Sequence, residues 1–118
     1  MTISDVRVVS VPVADQDRAR DFYVNTLGFE LLADVTDPQQ RWVQVGPKGS
    51  ATSLTLVTWF PTMPAGSLNG LVIGTDDVDA EAERLREAGV AVDGPHDAPW
   101  GRHATLTDPD GNGLVLVT

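Results

Sequence analysis

Apolar residues recur at the spacing of strands and helices along most of the chain. A stretch rich in β-branched residues predicts a strand over residues 6–13, in which alternate side chains share one face. Helical spacing then predicts an amphipathic helix that begins after Asp15, its N-cap, and ends at Gly28. The residues of the strand on the face that packs on the helix are Val9, Val11 and Val13. The apolar stripe of the helix consists of Ala19, Phe22, Tyr23 and Leu27.

The rest of the pattern predicts further strands and a second helix. Asp77 or Asp76 caps this helix and Gly89 ends it. In the final turn, Asp108–Gly111, proline suits the second position and glycine the one that needs a positive φ. The stripe of the second helix consists of Val78, Ala82, Leu85 and Ala88. The further strands are residues 29–35, 41–46, 53–59, 68–75, 90–93, 102–107 and 114–117.

The second half of the chain repeats the order of the first. Each half reads β-α-β-β-β, and the segments that flank the first helix recur about 60 residues later. The repeat predicts one domain, 1–118, built from two modules, 1–60 and 61–118, with a groove between them. The proline-rich segment 59–66 is the predicted linker. The flanking segments are Val13-Ala14-Asp15 and Leu27-Gly28-Phe29, then Thr75-Asp76-Asp77 and Ala88-Gly89-Val90.

Composition narrows the classes of partner and of chemistry. Seventeen acidic and eight basic residues give a formal charge of −9, which repels phosphate backbones and anionic lipid, so neither nucleic acid nor membrane is an expected partner. The chain has no cysteine, which excludes disulfides, thiolate zinc sites and a cysteine nucleophile. No stretch reaches the ~20 apolar residues of a membrane span, and the start lacks signal-peptide features. We expect a cytoplasmic protein.

Two motifs resemble the vicinal oxygen chelate superfamily, the group of glyoxalase I, extradiol dioxygenases, fosfomycin resistance enzymes and bleomycin resistance proteins. The resemblance implies an α+β fold in which two βαβββ modules form a U-shaped mixed sheet around a cavity. It also implies a homodimer, with module pairing within one chain or across two chains left open. The residues that carry the resemblance are Val13, Asp15, Ala19, Phe22, Tyr23, Leu27, Gly28, Phe29 and the turn 108–112.

The resemblance also places the positions at which metal-dependent members of the family carry their ligands. Divalent ions there require imidazole nitrogens or carboxylate oxygens, and valine, glycine and a single threonine hydroxyl do not replace them. We therefore expect no metal and no other cofactor. The corresponding residues of this chain are Val8, Gly70, Val115 and, by a looser match, Thr55.

Strand alternation predicts which side chains line the groove instead. Residues at the parity of Val8 and Gly70 face inward, together with alternate residues of the later strands. His103 is the candidate general acid or base, although a hydrogen-bonded or exposed strand histidine and tryptophans used only for packing stay open as alternatives. The predicted ligand-binding residues are Val8, Ser10, Trp42, Gln44, Thr55, Val57, Trp59, Gly70, Trp100, His103 and Thr105.

Three functions fit these observations. The first is a metal-free protein that binds a small organic molecule, for sequestration of an antibiotic or a metabolite. The second is an enzyme of the same family, of lyase, isomerase or dioxygenase type, either metal-free with His103 as acid or base or with a metal on non-standard ligands. The third is a ferredoxin-like α+β dimer without a cavity. Whether the protein is an enzyme is left open.

Overall fold

The computed structural model describes residues 2–118 as an α+β fold of two βαβββ modules, which confirms the predicted fold class. Within one chain the strands divide into two four-stranded sheets, ordered β1-β4-β3-β2 and β5-β8-β7-β6, and in each sheet only the first-named pair is parallel. The strands are β1 Val8–Pro12, β2 Glu30–Thr36, β3 Arg41–Gly46, β4 Ser53–Val57, β5 Leu71–Gly74, β6 Asp93–Ala98, β7 Gly101–Thr107 and β8 Gly113–Val117. The helices are α1 Gln16–Asp21, continued by a π-helix over Phe22–Thr26, and α2 Val78–Glu87.

The repeated motifs form the ends of the two helices, as predicted. An Asp15 carboxylate oxygen accepts a hydrogen bond from the amide of Arg18 at 3.1 Å, and Asp77 caps α2 in the same way. Gly28 and Gly89 follow the helices with φ of +84° and +90°, a conformation that residues with a Cβ adopt at a cost. The two modules therefore share their local start and stop signals.

The first helix differs from the predicted regular helix in its second half. From Phe22 the backbone widens into a π-helix, in which the amide of Leu27 donates to the carbonyl of Phe22 at 2.9 Å, five residues back. Leu27 is partly buried and, like Phe22, still packs against the core. A π-helix has the same apolar spacing as a fraying α-helix over one turn, so the pattern did not reveal it.

The predicted strand over 90–93 is wrong, because β6 runs over Asp93–Ala98. Val90 and Val92 pack against the core from a non-strand segment. β6 is an edge strand with exposed or half-buried side chains, so its sequence needs no alternation of apolar and polar residues. The other predicted strands are correct to within a few residues at their ends.

The hydrophobic core is one continuous cluster that joins the two modules. It contains the side of each sheet that faces its helix, which confirms the predicted alternation in β1, β3 and β7. Because both sheets bury this side, the opposite side of each sheet is turned away from the core. The ferredoxin-like alternative is wrong, since each helix is followed by three strands. The fully buried members include Val11, Tyr23, Val43, Val45, Leu56, Leu85, Ala104 and Leu114.

A buried polar cluster, the module junction of Pro12, Tyr23, Leu68, Asp108 and Asn112, also connects the modules. The Tyr23 hydroxyl donates to Asp108 Oδ2 at 2.9 Å, and burial together with the Asp108 charge raises the pKa of this hydroxyl. The Asn112 amide donates to Asp108 and to the carbonyl of Pro12, both at 2.8 Å, and accepts from the amide of Leu68. The final turn thus holds β1 in place across the chain.

Gly66 shows how closely the linker passes that turn. Its amide donates to the carbonyl of Pro12 at 3.2 Å, and its φ is +82°. A Cβ at this position would collide with the carbonyl oxygen of Asp110. Only glycine satisfies both constraints, so the end of the linker is fixed against the final turn at Gly66.

An ionic cluster fixes β2 and β3 to the first helix. Arg41 binds Asp34 through two hydrogen bonds of 2.8 Å, and Arg20 approaches the same carboxylate at 3.1 Å. Hydrogen bonding from Arg41 is the main reason that the pKa of Asp34 falls from 3.8 to about 2. Such bidentate pairs fix the relative orientation of the two side chains better than single surface ion pairs do.

We predict that Asp34 stabilises the fold at neutral pH and loses this effect in acid. Because its folded pKa lies below its unfolded pKa, the stabilisation is present above about pH 4 and disappears as the pH falls toward about 2. Wild type should therefore lose more stability than Asp34→Asn between pH 5 and pH 2.5, as measured by urea denaturation. Glu83→Gln, at an exposed acid, is the control. Equal losses in wild type and Asp34→Asn would contradict the prediction.

Candidate functional site

The side of the first sheet that faces away from α1 carries a ladder of hydrogen-bonded polar side chains. Trp42 Nε1 donates to Gln44 Oε1 at 3.0 Å, and the Gln44 amide donates to Ser53 Oγ at 2.7 Å. On the neighbouring strand pair, the hydroxyls of Ser10 and Thr55 lie 3.3 Å apart. We call this side the first open face; its residues are Val8, Ser10, Trp42, Gln44, Ser53, Thr55, Val57 and the adjoining Trp59.

Aromatic rings border the first open face. The rings of Trp42 and Trp59 are 6.5 Å apart between centroids and within 25° of parallel, and Phe60 lies 6.1 Å beyond Trp59. Both tryptophans are half-buried, whereas Phe60 is exposed. Such a row of rings offers a flat apolar surface on which another planar ring stacks.

Not every predicted residue of this face is accessible in the chain. Thr55 and Val57 alternate with the core residues of β4 and so lie on the predicted side of the sheet, but their side chains are 0% and 1% exposed. Val8 and Ser10 are half-buried at the edge strand. A ligand on this face would therefore lie against Trp42, Gln44 and Trp59, with the β4 residues beneath.

The second sheet has a corresponding open face with a cavity of about 680 Å³. The predicted residues Gly70 and Thr105 line it together with Val115, which pairs with Thr105 across the strands. Small side chains and the missing side chain of Gly70 leave this volume free. We call this side the second open face; its residues are Gly70, Val72, His103, Thr105, Val115 and the adjoining Trp100.

The β6–β7 hairpin extends the second open face with aromatic side chains. The rings of Trp100 and His103 are 4.3 Å apart between centroids, and Trp100 is 59% exposed. His96, the cross-strand partner of His103, places its Nε2 2.8 Å from Asp93 Oδ1. An exposed indole over an imidazole is suited to contact with a flat apolar ligand.

The predicted site residues thus form two groups, one in each module. Within residues 2–118, no aromatic contact or side-chain hydrogen bond joins the first open face to the second. The core and the module junction lie between them. The two groups therefore do not contact each other within the part of the chain that the structure describes.

The residues at the implied metal positions do not fit a metal. Val8 and Val115 are apolar, Gly70 has no side chain, and the Thr55 hydroxyl is paired with Ser10. Among the described residues, no group of three or more histidine, cysteine, aspartate or glutamate side chains is arranged to hold an ion. No step through a metal is derived from this site.

Sequence reasoning missed several residues that line the second cavity. Asp93 and Val92 belong to it because β6 begins later than predicted, and Asn69 lies just before β5, which begins at Leu71. The acidic and histidine side chains of 93–97 were the available signal. The predicted strand ends at Asp93, because Gly94 and Pro95 interrupt the strand pattern and favour a loop around His96.

The wider family of the chain follows from comparison with known proteins. A sequence model of the glyoxalase/bleomycin resistance protein/dioxygenase superfamily matches residues 6–116. The chain belongs to this superfamily. That conclusion confirms the resemblance that the two motifs indicate.

Individual relatives add detail. TnmS3, an antibiotic binding protein from Streptomyces sp. CB03234, is 62% identical with a TM-score of 0.97, over 99% of this chain and 97% of its own. The uncharacterised protein YetH of Bacillus subtilis is 32% identical over 97% of this chain and 98% of its own. The anthracycline biosynthesis protein DnrV of Streptomyces peucetius is 36% identical over 84% of this chain but only 36% of its own length.

Proposed function

We propose that this protein binds a planar aromatic natural product, without a metal, and thereby sequesters it. The observation that carries the proposal is the pair of open faces, where stacked or exposed aromatic rings stand beside oriented hydrogen-bonding groups. Sites for organic ligands combine apolar walls with a few fixed polar groups in this way. At the positions where metal-dependent members of the superfamily carry their ligands, this chain has residues that do not bind metals. The ligand is therefore bound by stacking on aromatic side chains and not through a metal ion.

The relatives support a particular ligand class. TnmS3 is an antibiotic binding protein, and DnrV belongs to the biosynthesis of anthracyclines, which are planar polycyclic quinones that carry an amino sugar. Flat rings of this kind stack on tryptophan faces. The net charge of −9 attracts the cationic amine. We propose the cytoplasm as the place of action; none of the described helices is long and apolar enough to span a bilayer.

We further propose a homodimer in which the first open face of one chain meets the second open face of its partner. Within the described chain β1 and β5 each pair on one edge only, and unpaired edges favour association. The chain exposes 6943 Å², against about 6,200 Å² for a compact monomer of this mass. Apposition of the two faces would enclose the ligand between the tryptophan pair and the cavity beside Thr105.

Titration with daunorubicin, an anthracycline, tests the binding function. We expect saturable quenching of tryptophan fluorescence with a Kd of about 1 μM or tighter, since stacking on several rings contributes favourable free energy beyond area burial. Calorimetry on the same samples checks the stoichiometry. Quenching that does not saturate at about 100 μM would contradict the proposal for this ligand class.

The name of DnrV gives the enzymatic alternative one specific support. Mass spectrometry of daunorubicin recovered after prolonged incubation with excess protein distinguishes the two functions. An unchanged mass and chromatographic peak supports sequestration, and a stoichiometric or catalytic change identifies an enzyme. Elemental analysis of the purified protein accompanies this assay, because a tightly held transition metal would contradict the metal-free interpretation.

A further inference from the structure

His103 has two ring nitrogens in different surroundings. It lies on β7 at the parity of Thr105, opposite the core residues Ala104 and Leu106, and so belongs to the second open face. Its Nδ1 is inaccessible to solvent and has no hydrogen-bond partner among the residues that the structure describes. Its Nε2 makes no side-chain hydrogen bond within residues 2–118 either and is not among the buried, unpartnered atoms, so this nitrogen is accessible.

This asymmetry selects a tautomer. Buried N–H groups without an acceptor are rarer in proteins than buried acceptors without a donor. A neutral imidazole carries its proton on one nitrogen only, so the proton avoids Nδ1 and occupies Nε2. We infer that His103 is a fixed Nε2–H donor that recognises a carbonyl oxygen of the bound ligand, an inference that rests on the proposed binding function.

The Trp100 ring makes this donor selective for ring carbonyls. It lies 4.3 Å from the imidazole between centroids and at 34° to it, so it covers one face of the imidazole, and a ligand that approaches Nε2 comes to the edge of the ring. A quinone or ketone oxygen in the ligand plane accepts the hydrogen bond, whereas a C–H at the same position does not. Because the lone pair of this tautomer is on the inaccessible Nδ1, His103 is arranged to recognise a ligand and not to take a proton from it.

Nitrogen-15 NMR of the ligand-free protein decides the tautomer. The chain has two histidines, and a His96→Gln variant assigns their imidazole signals. We expect the long-range correlations of His103 to show a protonated Nε2 and a lone pair on Nδ1. A protonated Nδ1, or rapid averaging between the two tautomers, would overturn the assignment.

Binding of two matched probes tests the carbonyl preference. The probes 2-(aminomethyl)anthraquinone and 2-(aminomethyl)anthracene carry the same cationic amine and differ only at the ring carbonyls. We expect wild type to prefer the quinone by about tenfold, the value of one good hydrogen bond. His103→Phe keeps an aromatic ring and should lose the preference, while His103→Gln retains an N–H donor and should keep part of it.

The outcomes separate this inference from the binding function itself. A preference that persists unchanged in His103→Phe overturns the recognition role, even though the protein binds aromatic ligands. Failure of wild type to bind either probe contradicts the binding function for this class, and the carbonyl contact with it. The NMR result stands apart from both, because it needs no ligand.

Discussion

Replacement of Asp108 by alanine is expected to lower the free energy of unfolding by about 3–5 kcal/mol. The carboxylate is 4% exposed. It accepts hydrogen bonds from the Tyr23 hydroxyl, the Asn112 amide and the backbone amides of Asp110 and Asn112, at 2.8–3.0 Å. Truncation leaves two fully buried side-chain donors without this acceptor. Urea denaturation followed by tryptophan fluorescence measures the loss.

Asp110 in the same turn provides the matched control. Its carboxylate is more exposed and accepts one side-chain hydrogen bond, from the amide of Ala14 at 3.0 Å. Asp110→Ala should therefore cost about 1 kcal/mol or less. An Asp108→Ala protein within about 1 kcal/mol of wild type would show that the module junction contributes little to stability, and equally large losses for the two variants would show that the buried contacts of Asp108 are not the specific cause.

Features that depend on neighbouring residues could be predicted from the sequence. The Asp15 cap, the positive φ of Gly28 and the Asp108–Gly111 turn each involve only a few adjacent backbone groups. Each is favoured by a particular residue type at a particular position, so the sequence indicates it directly. Strand parity was predictable for the same reason, since alternation of side chains is a local property. These local signals, repeated in both halves, sufficed for the fold class.

Features that depend on distant pairing could not be predicted. Tyr23 counted as an apolar stripe residue because its hydrogen-bond partner, Asp108, lies 85 positions away. The start of β6 depends on its pairing with β7 and not on its own composition. Likewise, parity predicts Trp59 in the groove and the Pro-Gly loop predicts Trp100 at its rim, but neither signal reveals that these rings make no contact within the described chain.

Loss of either tryptophan should greatly weaken ligand binding. Trp59 stacks on Trp42 at the first open face, and Trp100 covers His103 at the second. Because each ring would contact the same ligand across a dimer pocket, Trp59→Ala and Trp100→Ala should each raise the Kd for daunorubicin by about 30-fold or more. Neither side chain is fully buried, so both variants should fold. Exposed Phe60, replaced by alanine, is the matched control and should change the Kd less.

Mixing these two variants then tests whether a pocket uses two chains. In a heterodimer of Trp59→Ala and Trp100→Ala chains, one pocket combines the intact Trp59 of one chain with the intact Trp100 of the other, and the second pocket lacks both. Subunit exchange at equal concentrations should therefore restore wild-type affinity to about a quarter of the sites. A pocket formed within each chain cannot recover, because every such pocket lacks one ring. Heterodimers verified by native mass spectrometry but without recovered binding would contradict the shared pocket.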